Sequence, residues 1–232
     1  MDHDSTVSTD DLELSSRGSA IRGMLGFSKD FFFLLNSDLE LDLKKITDSL
    51  PTIDKKKTCI FGFTWLIYQI LVKNKNMQAK KLFEELENPV IIHIGGWKKL
   101  TDLSVNKEKF NEITSNFFNT KSENIIDFYG MTEQLGIVYP DCSEGNKHVP
   151  IFADIFIRDV HNQKILPYNT PGFIQILSPI PNSYPGISIL TDDIGEILGE
   201  DDCPCGRKGK YFVFTKRSEI ADPKGCGDTL AI

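Results

Sequence analysis

Apolar and polar positions fall into two textures along the chain. From about Ser19 to Phe128, short apolar runs alternate with amphipathic stretches. Ser19 to Lys29 would set Ile21, Met24, Leu25 and Phe27 on one side of a helix. Leu39 to Leu43 alternates, and Asp42 or Thr47 would open a short helix to Ser49, ended by Pro51. Thr58 to Phe63 reads as a buried strand and Thr64 to Lys73 as the helix after it. Gln78 to Leu86 forms a further short helix with Leu82, Phe83 and Leu86 on one side. Val90 to Ile94 is a second buried strand ending in Gly95-Gly96, followed by helix Lys107 to Phe118 and strand Asn124 to Phe128. Strand and helix in alternation imply a parallel sheet with helices on its faces.

The texture changes after about Gly145. His148 to Asp159, Gly172 to Ser178, Ile187 to Thr191 and Tyr211 to Thr215 are short β-rich runs separated by Pro-Gly and Asp-Asp turns. They predict a smaller β-barrel-like or meander unit. The expected fold class is therefore α/β, a parallel sheet flanked by helices, followed by a small β-barrel-like unit. Residues 1–14 are polar and acidic and read as a disordered tail.

Composition narrows the partners. With 232 residues, 40% hydrophobic and 25% charged, the chain has the make-up of a globular protein with a real core. Its net charge of −7 argues against nucleic acid as a main partner, since phosphate binding leans on clustered Lys and Arg. The longest apolar run, Cys59 to Val72, is shorter than the roughly 20 residues a bilayer span requires. Met1 is followed by a polar, acidic segment rather than a secretory leader, and the five cysteines are an odd number. A reducing cytoplasm with free or metal-bound thiols is the expected setting. Cys59, inside an apolar run, is expected to be buried.

Candidate chemistry gathers at Asp127-Phe-Tyr129-Gly130-Met-Thr132-Glu133-Gln134. An apolar strand runs into an aromatic pair, a glycine, a hydroxyl and a carboxylate. That order suits a nucleotide site at the carboxyl end of a strand. Tyr129 would lie against a purine, Gly130 would permit close backbone approach, Thr132 would donate to a phosphate oxygen and Glu133 would hold Mg²⁺. The competing reading is a buried strand and an ordinary turn. Gly95-Gly96, just past a strand, suits either an adenine edge or a plain tight turn. Asp192-Asp193 suits either ribose binding, through the two acceptor oxygens of a carboxylate, or a turn.

Cys142, His148, Cys203 and Cys205 make a second constellation. Cys-x5-His and Cys-x-Cys supply the four ligands of a tetrahedral structural Zn²⁺; the alternative is four unrelated residues. Cys226 lies between glycines near Lys224, so its thiol is expected to be accessible and inclined to the thiolate. The alternative is an exposed thiol with no role.

Taken together, Ile92 to Lys98, Tyr129-Gly-Met-Thr-Glu133, Tyr184-Pro-Gly186, Leu190-Thr-Asp-Asp193, Asp202 to Arg207 and Gly225-Cys-Gly-Asp228 resemble one branch of the adenylate-forming enzymes. That branch is the acyl-protein synthetases, the fatty acid–protein ligases of bacterial luminescence systems. The resemblance covers roughly residues 15 to 232. It implies an adenine pocket at Gly95-Gly96, nucleotide contact by Tyr129 and Gly130, and catalysis by Thr132 and Glu133 with ATP and Mg²⁺. It implies a ribose grip by Asp193, contact to ribose or phosphate by Arg217, and an acyl-accepting thiol at Cys226. Lys216 stands where the superfamily has a glycine before that arginine. A metal at the Cys/His set also occurs in some related ligases.

The implied organisation is an α/β nucleotide-binding subdomain over 15–145, a β-rich subdomain over 146–215, and a hinge and stub over 216–232. The implied partners are a fatty acid or other carboxylate and an acyl-reductase protein. A Ser/Thr/Gly-rich phosphate loop is expected upstream of these motifs, and Ser15 to Ser19 does not supply its spacing. The isolated chain is therefore expected to be a weak catalyst. A related acyl- or aryl-CoA ligase and a non-catalytic nucleotide- or partner-binding remnant are the alternatives.

Overall fold

Strand β1 (Cys59–Phe63) leads directly into helix α3 (Thr64–Lys73), and β2 (Val90–Ile94) pairs with β1 in parallel, Phe61 opposite Ile92. The computed structural model describes residues 16–73, 77–97, 103–134, 136–182 and 185–218. Before β1 come α1 (Ser16–Leu25) and α2 (Leu43–Ser49); α4 (Met77–Phe83) precedes β2, and α5 (Lys107–Phe118) follows it. β3 (Ile125–Tyr129) is next to β2 in strand order.

The local causes are visible at the helix ends. Asp42 accepts from the Lys45 backbone N–H at 3.0 Å, capping α2, and Asn106 does the same for Lys109 at 2.9 Å at the start of α5. Asn119, in the left-handed region, ends α5. Ile60, Ile67, Leu71, Phe83, Ile91, Phe110, Phe118 and Ile125 close one apolar core between sheet and helices. α3, β2 and α5 span the predicted residues; α1 stops at Leu25, with Phe27 exposed beyond it. Cys59 proves exposed at the first position of β1, because the apolar run enters the core only at Ile60.

The described residues up to Ile126 form one compact unit and those from Asp127 to Ser218 a second, so the division falls inside β3. In the second unit β3 pairs antiparallel with β4 (Tyr139–Pro140), Tyr129 opposite Tyr139. The remaining strands are β5 (Lys147–His148), β6 (Asp154–Arg158), β7 (Gly172–Leu177), β8 (Ser188–Glu200) and β9 (Lys210–Arg217). They form an antiparallel sheet in the order β5-β9-β8-β7-β6. It is an open sheet among the described residues, not a closed barrel, because β5 and β6 remain its edges. Ile155, Ile157, Ile174, Ile176, Ile197 and Phe212 alternate inward to fill its core.

β8 is the main departure from the sequence pattern. It continues through Asp192-Asp193 for 13 residues instead of turning after Thr191. Pairing with β9 carries the strand across the two carboxylates, Asp193 opposite Arg217 and the Asp192 carbonyl accepting from the Ser218 N–H at 2.8 Å, while the register with β7 is irregular between Leu190 and Ile194. Gly195 is required there, since a Cβ would collide with the Val213 carbonyl and the Ile174 side chain.

Candidate functional site

The carboxyl end of β3 delivers Tyr129, and the first half of β8 delivers Asp193 to it. The Tyr129 hydroxyl donates to Asp193 Oδ2 at 2.8 Å. Thr191 steadies the carboxylate's backbone: its hydroxyl donates to the Ile174 carbonyl at 2.8 Å and accepts the Asp193 N–H at 3.1 Å. Side chains on β8 alternate, so Asp192 is exposed while Asp193 is half-buried on the Tyr129 side. That alternation turns Asp193, and not Asp192, toward Tyr129.

Aromatic neighbours hold the tyrosine ring. Phe214 stacks on it at 5.7 Å between centroids, and Phe212 meets it edge-on at 5.8 Å. Burial pushes the Tyr129 hydroxyl well above its ordinary range, and the Asp193 charge adds to this. Burial also raises Asp193, against the hydrogen bond from Tyr129 and the charge of Arg217, which pull it down; Asp192 and Glu133 push it further up. The pair is thus a part-buried hydroxyl–carboxyl contact with a cation nearby.

Beyond Tyr129, Gly130 lets the chain turn close to the Ile137 carbonyl, which a Cβ would approach to 3.3 Å. Thr132–Gln134 forms one turn of 3-10 helix, with Glu133 exposed. Gln134 is buried; its amide donates to the Gly186 carbonyl at 3.3 Å and accepts from the Tyr139 hydroxyl at 3.3 Å. Gly95 and Gly96 lie in the first unit, at the end of β2, Gly95 with φ +80. Beneath them His93 is buried and shares a hydrogen bond with Thr64 at 2.9 Å. Cys226 lies outside the described residues.

The cysteines and histidine converge. The ligand atoms of Cys142, His148, Cys203 and Cys205 all lie within 4.8 Å of one another. Cys142 Sγ and Cys203 Sγ are 3.9 Å apart, and Cys205 Sγ is 3.3 Å from His148 Nε2. A tetrahedral zinc with ordinary bond lengths would set these edges at about 3.8 Å and about 3.5 Å. These two edges match such an ion, and the four donors are of the kind it takes. Two turns build the set: the Cys142 N–H donates to the Asn146 carbonyl at 2.8 Å, and the Gly206 N–H to the Cys203 carbonyl at 2.9 Å. β5 pairing with β9 brings them together, His148 opposite Tyr211. Burial and the Arg207 charge lower the His148 pKa, favouring the neutral imidazole a metal needs.

One group escaped sequence reasoning. Lys147 is buried between Asp127 and Asp141, its Nζ at 2.8 Å and 3.0 Å from their carboxylates. An acid and a base flanking the turn-forming Ser143-Glu-Gly-Asn146 were the available signal for the Asp141 contact. Asp127, 20 residues upstream, gave none.

Residues 2–232 match the family described as acyl-protein synthetase, LuxE. The chain is 27% identical over 195 residues to a long-chain-fatty-acid–luciferin-component ligase of Vibrio harveyi, covering 83% of this chain and 50% of that protein. It is 26% identical over 204 residues to the ligase of the same name from Aliivibrio fischeri, covering 86% and 52%. The chain thus spans about half the length of the curated relatives it matches. Among solved structures it resembles a 2-hydroxyisobutyryl-CoA ligase in complex with 2-HIB-AMP and CoA. There the TM-score is 0.58 at 15% identity, over 75% of this chain and 39% of the other. An ATP-bound RpMatB-BxBclM chimera matches with TM-score 0.50 at 15% identity, over 76% and 33%. These likenesses establish the adenylate-forming fold.

Proposed function

This chain belongs to the acyl-protein synthetase family, and from that premise we propose that it carries the nucleotide site of an ATP-dependent fatty acid–protein ligase. The observation that carries the reading is the 2.8 Å contact between Tyr129 and Asp193. It unites the Tyr-Gly-Met-Thr-Glu segment with the Thr-Asp-Asp segment in one place, with Arg217 opposite Asp193.

In this reading Asp193 accepts from the ribose hydroxyls, Tyr129 and Gly130 border the base, and Arg217 reaches the ribose or phosphate. Gly95 and Gly96, on the first unit, are the adenine-pocket candidates that the family resemblance supplies. Thr132 and Glu133 would hold Mg²⁺, which would supply charge neutralisation at the phosphates. A fatty-acid carboxylate oxygen attacks the α-phosphorus, forming acyl-AMP as the bond to pyrophosphate breaks. The acyl carbon then passes to a thiol sulfur, for which Cys226 is the candidate, and AMP leaves with the displaced oxygen. The acyl group goes on to a reductase partner. The four-ligand Cys/His set would hold a structural zinc with no open position. The work is assigned to the cytoplasm; no described helix is long and apolar enough to cross a membrane.

Calorimetric titration with AMP and with ATP tests the site. Asp193→Ala should weaken both by roughly tenfold to a hundredfold, the worth of charge-assisted hydrogen bonds. Asp192→Ala, altering the exposed neighbour, should leave both unchanged. Wild-type affinity in Asp193→Ala would remove the ribose grip from the proposal.

A further inference from the structure

Among the ion pairs of the described residues in the second unit, Lys147 is the most enclosed cation, its side chain 7% exposed. An ammonium group has three protons to donate. Three acceptors face it: Asp127 Oδ2 at 2.8 Å, the Asp127 carbonyl at 3.4 Å and Asp141 Oδ1 at 3.0 Å. Asp141 is 4% exposed at its side chain and Asp127 31%. Taking one ammonium and two carboxylates from water rarely stabilises a fold more than apolar side chains of the same volume would. What such a cluster adds is directional: it is satisfied in one arrangement only.

The acceptors belong to two pieces of chain that meet here. Asp127 stands on β3, two residues before Tyr129 and on the same face of the strand. Asp141 follows β4 and immediately precedes Cys142, while Lys147 immediately precedes His148. The backbone repeats the tie, since the Asp141 N–H donates to the Asp127 carbonyl at 3.0 Å. Asp141 and Lys147 bridge each other across the turn that carries Cys142.

We propose that Lys147 is a positioning residue for the nucleotide site. Through Asp127 it fixes the height and rotation of β3, so that the Tyr129 hydroxyl meets Asp193, and through Asp141 it anchors that strand to the metal-binding turn. This deepens the nucleotide reading above and rests on it.

The test uses the 232-residue chain. Lys147→Met combined with Asp127→Asn and Asp141→Asn removes the charges of these three side chains at nearly constant volume. This variant should melt at or near the wild-type temperature. It should nevertheless bind AMP roughly 2- to 30-fold more weakly, the range of couplings carried through such contacts. Hydrogen exchange should quicken at residues 127–130 and stay unchanged at 172–177. A purely structural role predicts instead that affinity follows melting temperature. Should the triple variant not fold, Asp127→Asn alone, which cuts only the β3 arm, should shift affinity and exchange in the same direction. Wild-type affinity together with wild-type exchange at 127–130 in a folded variant would overturn the proposal. Should the wild-type chain bind no AMP, the nucleotide reading falls. Exchange at 127–130 then decides the placement of β3: faster supports Lys147 as its anchor, unchanged refutes it.

Discussion

Tyr129→Phe is the smallest change that probes the centre of the site. It deletes one oxygen and leaves the ring packed between Phe214, Phe212 and Tyr139, so the cavity created is about the size of that atom. The cost comes from Asp193, which loses the donor held at 2.8 Å while remaining half-buried. Stripping a buried acceptor of its partner costs about 1–3 kcal/mol. For a chain of this size each kcal/mol moves the melting temperature by about 2–4 °C, so the drop should lie between about 2 and 12 °C. Asp193→Ala removes the same contact from the other side. If the two groups spend their energy on each other, the double variant should cost less than the sum of the singles by about 1 kcal/mol or more. Thermal and urea unfolding of the four proteins, with fitted slopes compared to confirm two-state behaviour, measures the cycle. Additive losses would show that the hydroxyl and carboxylate do not act on each other, and the argument from their contact would fail.

Two further outcomes follow from the same geometry. Because burial raises the Asp193 carboxyl above its ordinary value, binding of adenosine, which has no phosphate to titrate, should be complete above that raised value and fade as pH falls through it. The stability contribution of this carboxyl should run the other way, greatest when it is protonated and declining as pH rises through the raised value; Asp193→Asn should flatten both profiles, and a binding profile unchanged by that variant would refute the assignment. At the Cys/His set, protein prepared without chelators should carry close to one zinc per chain by elemental analysis, and Cys203→Ser should lose the metal and melt lower; metal-free fresh protein would refute the site.

Legibility in the sequence tracked how locally each feature is determined. α3, β2 and α5 could be read off because the apolar pattern that marks each lies inside its own segment. The Cys/His cluster was readable because its members come as two close pairs, Cys142 with His148 and Cys203 with Cys205, and β5–β9 pairing had only to join them. The course of β8 was not readable: Asp192-Asp193 has turn chemistry, and only pairing to β9 overrides it. The choice between those two aspartates depended on the strand's alternation, which no motif encodes. Lys147 escaped because half of its environment, Asp127, comes from a strand in another stretch of chain.

The length of β8 has a consequence for which changes the gene can accept. Ile189, Thr191, Asp193, Gly195, Ile197 and Gly199 all occupy its inward side, and the strand then runs into the turn bearing Cys203 and Cys205. Substitutions at the intervening outward positions alter one side chain each. The register with β9 is already irregular at Ile194/Gly195 and Ile197/Gly199, so a single codon gained or lost here would have to be taken up at such a bulge or would send Ile197 to solvent or Asp193 away from Tyr129. This segment should therefore accept a change of outward side chain more readily than a change of length, so that diverging lineages keep the same count between the carboxylate and the cysteine pair.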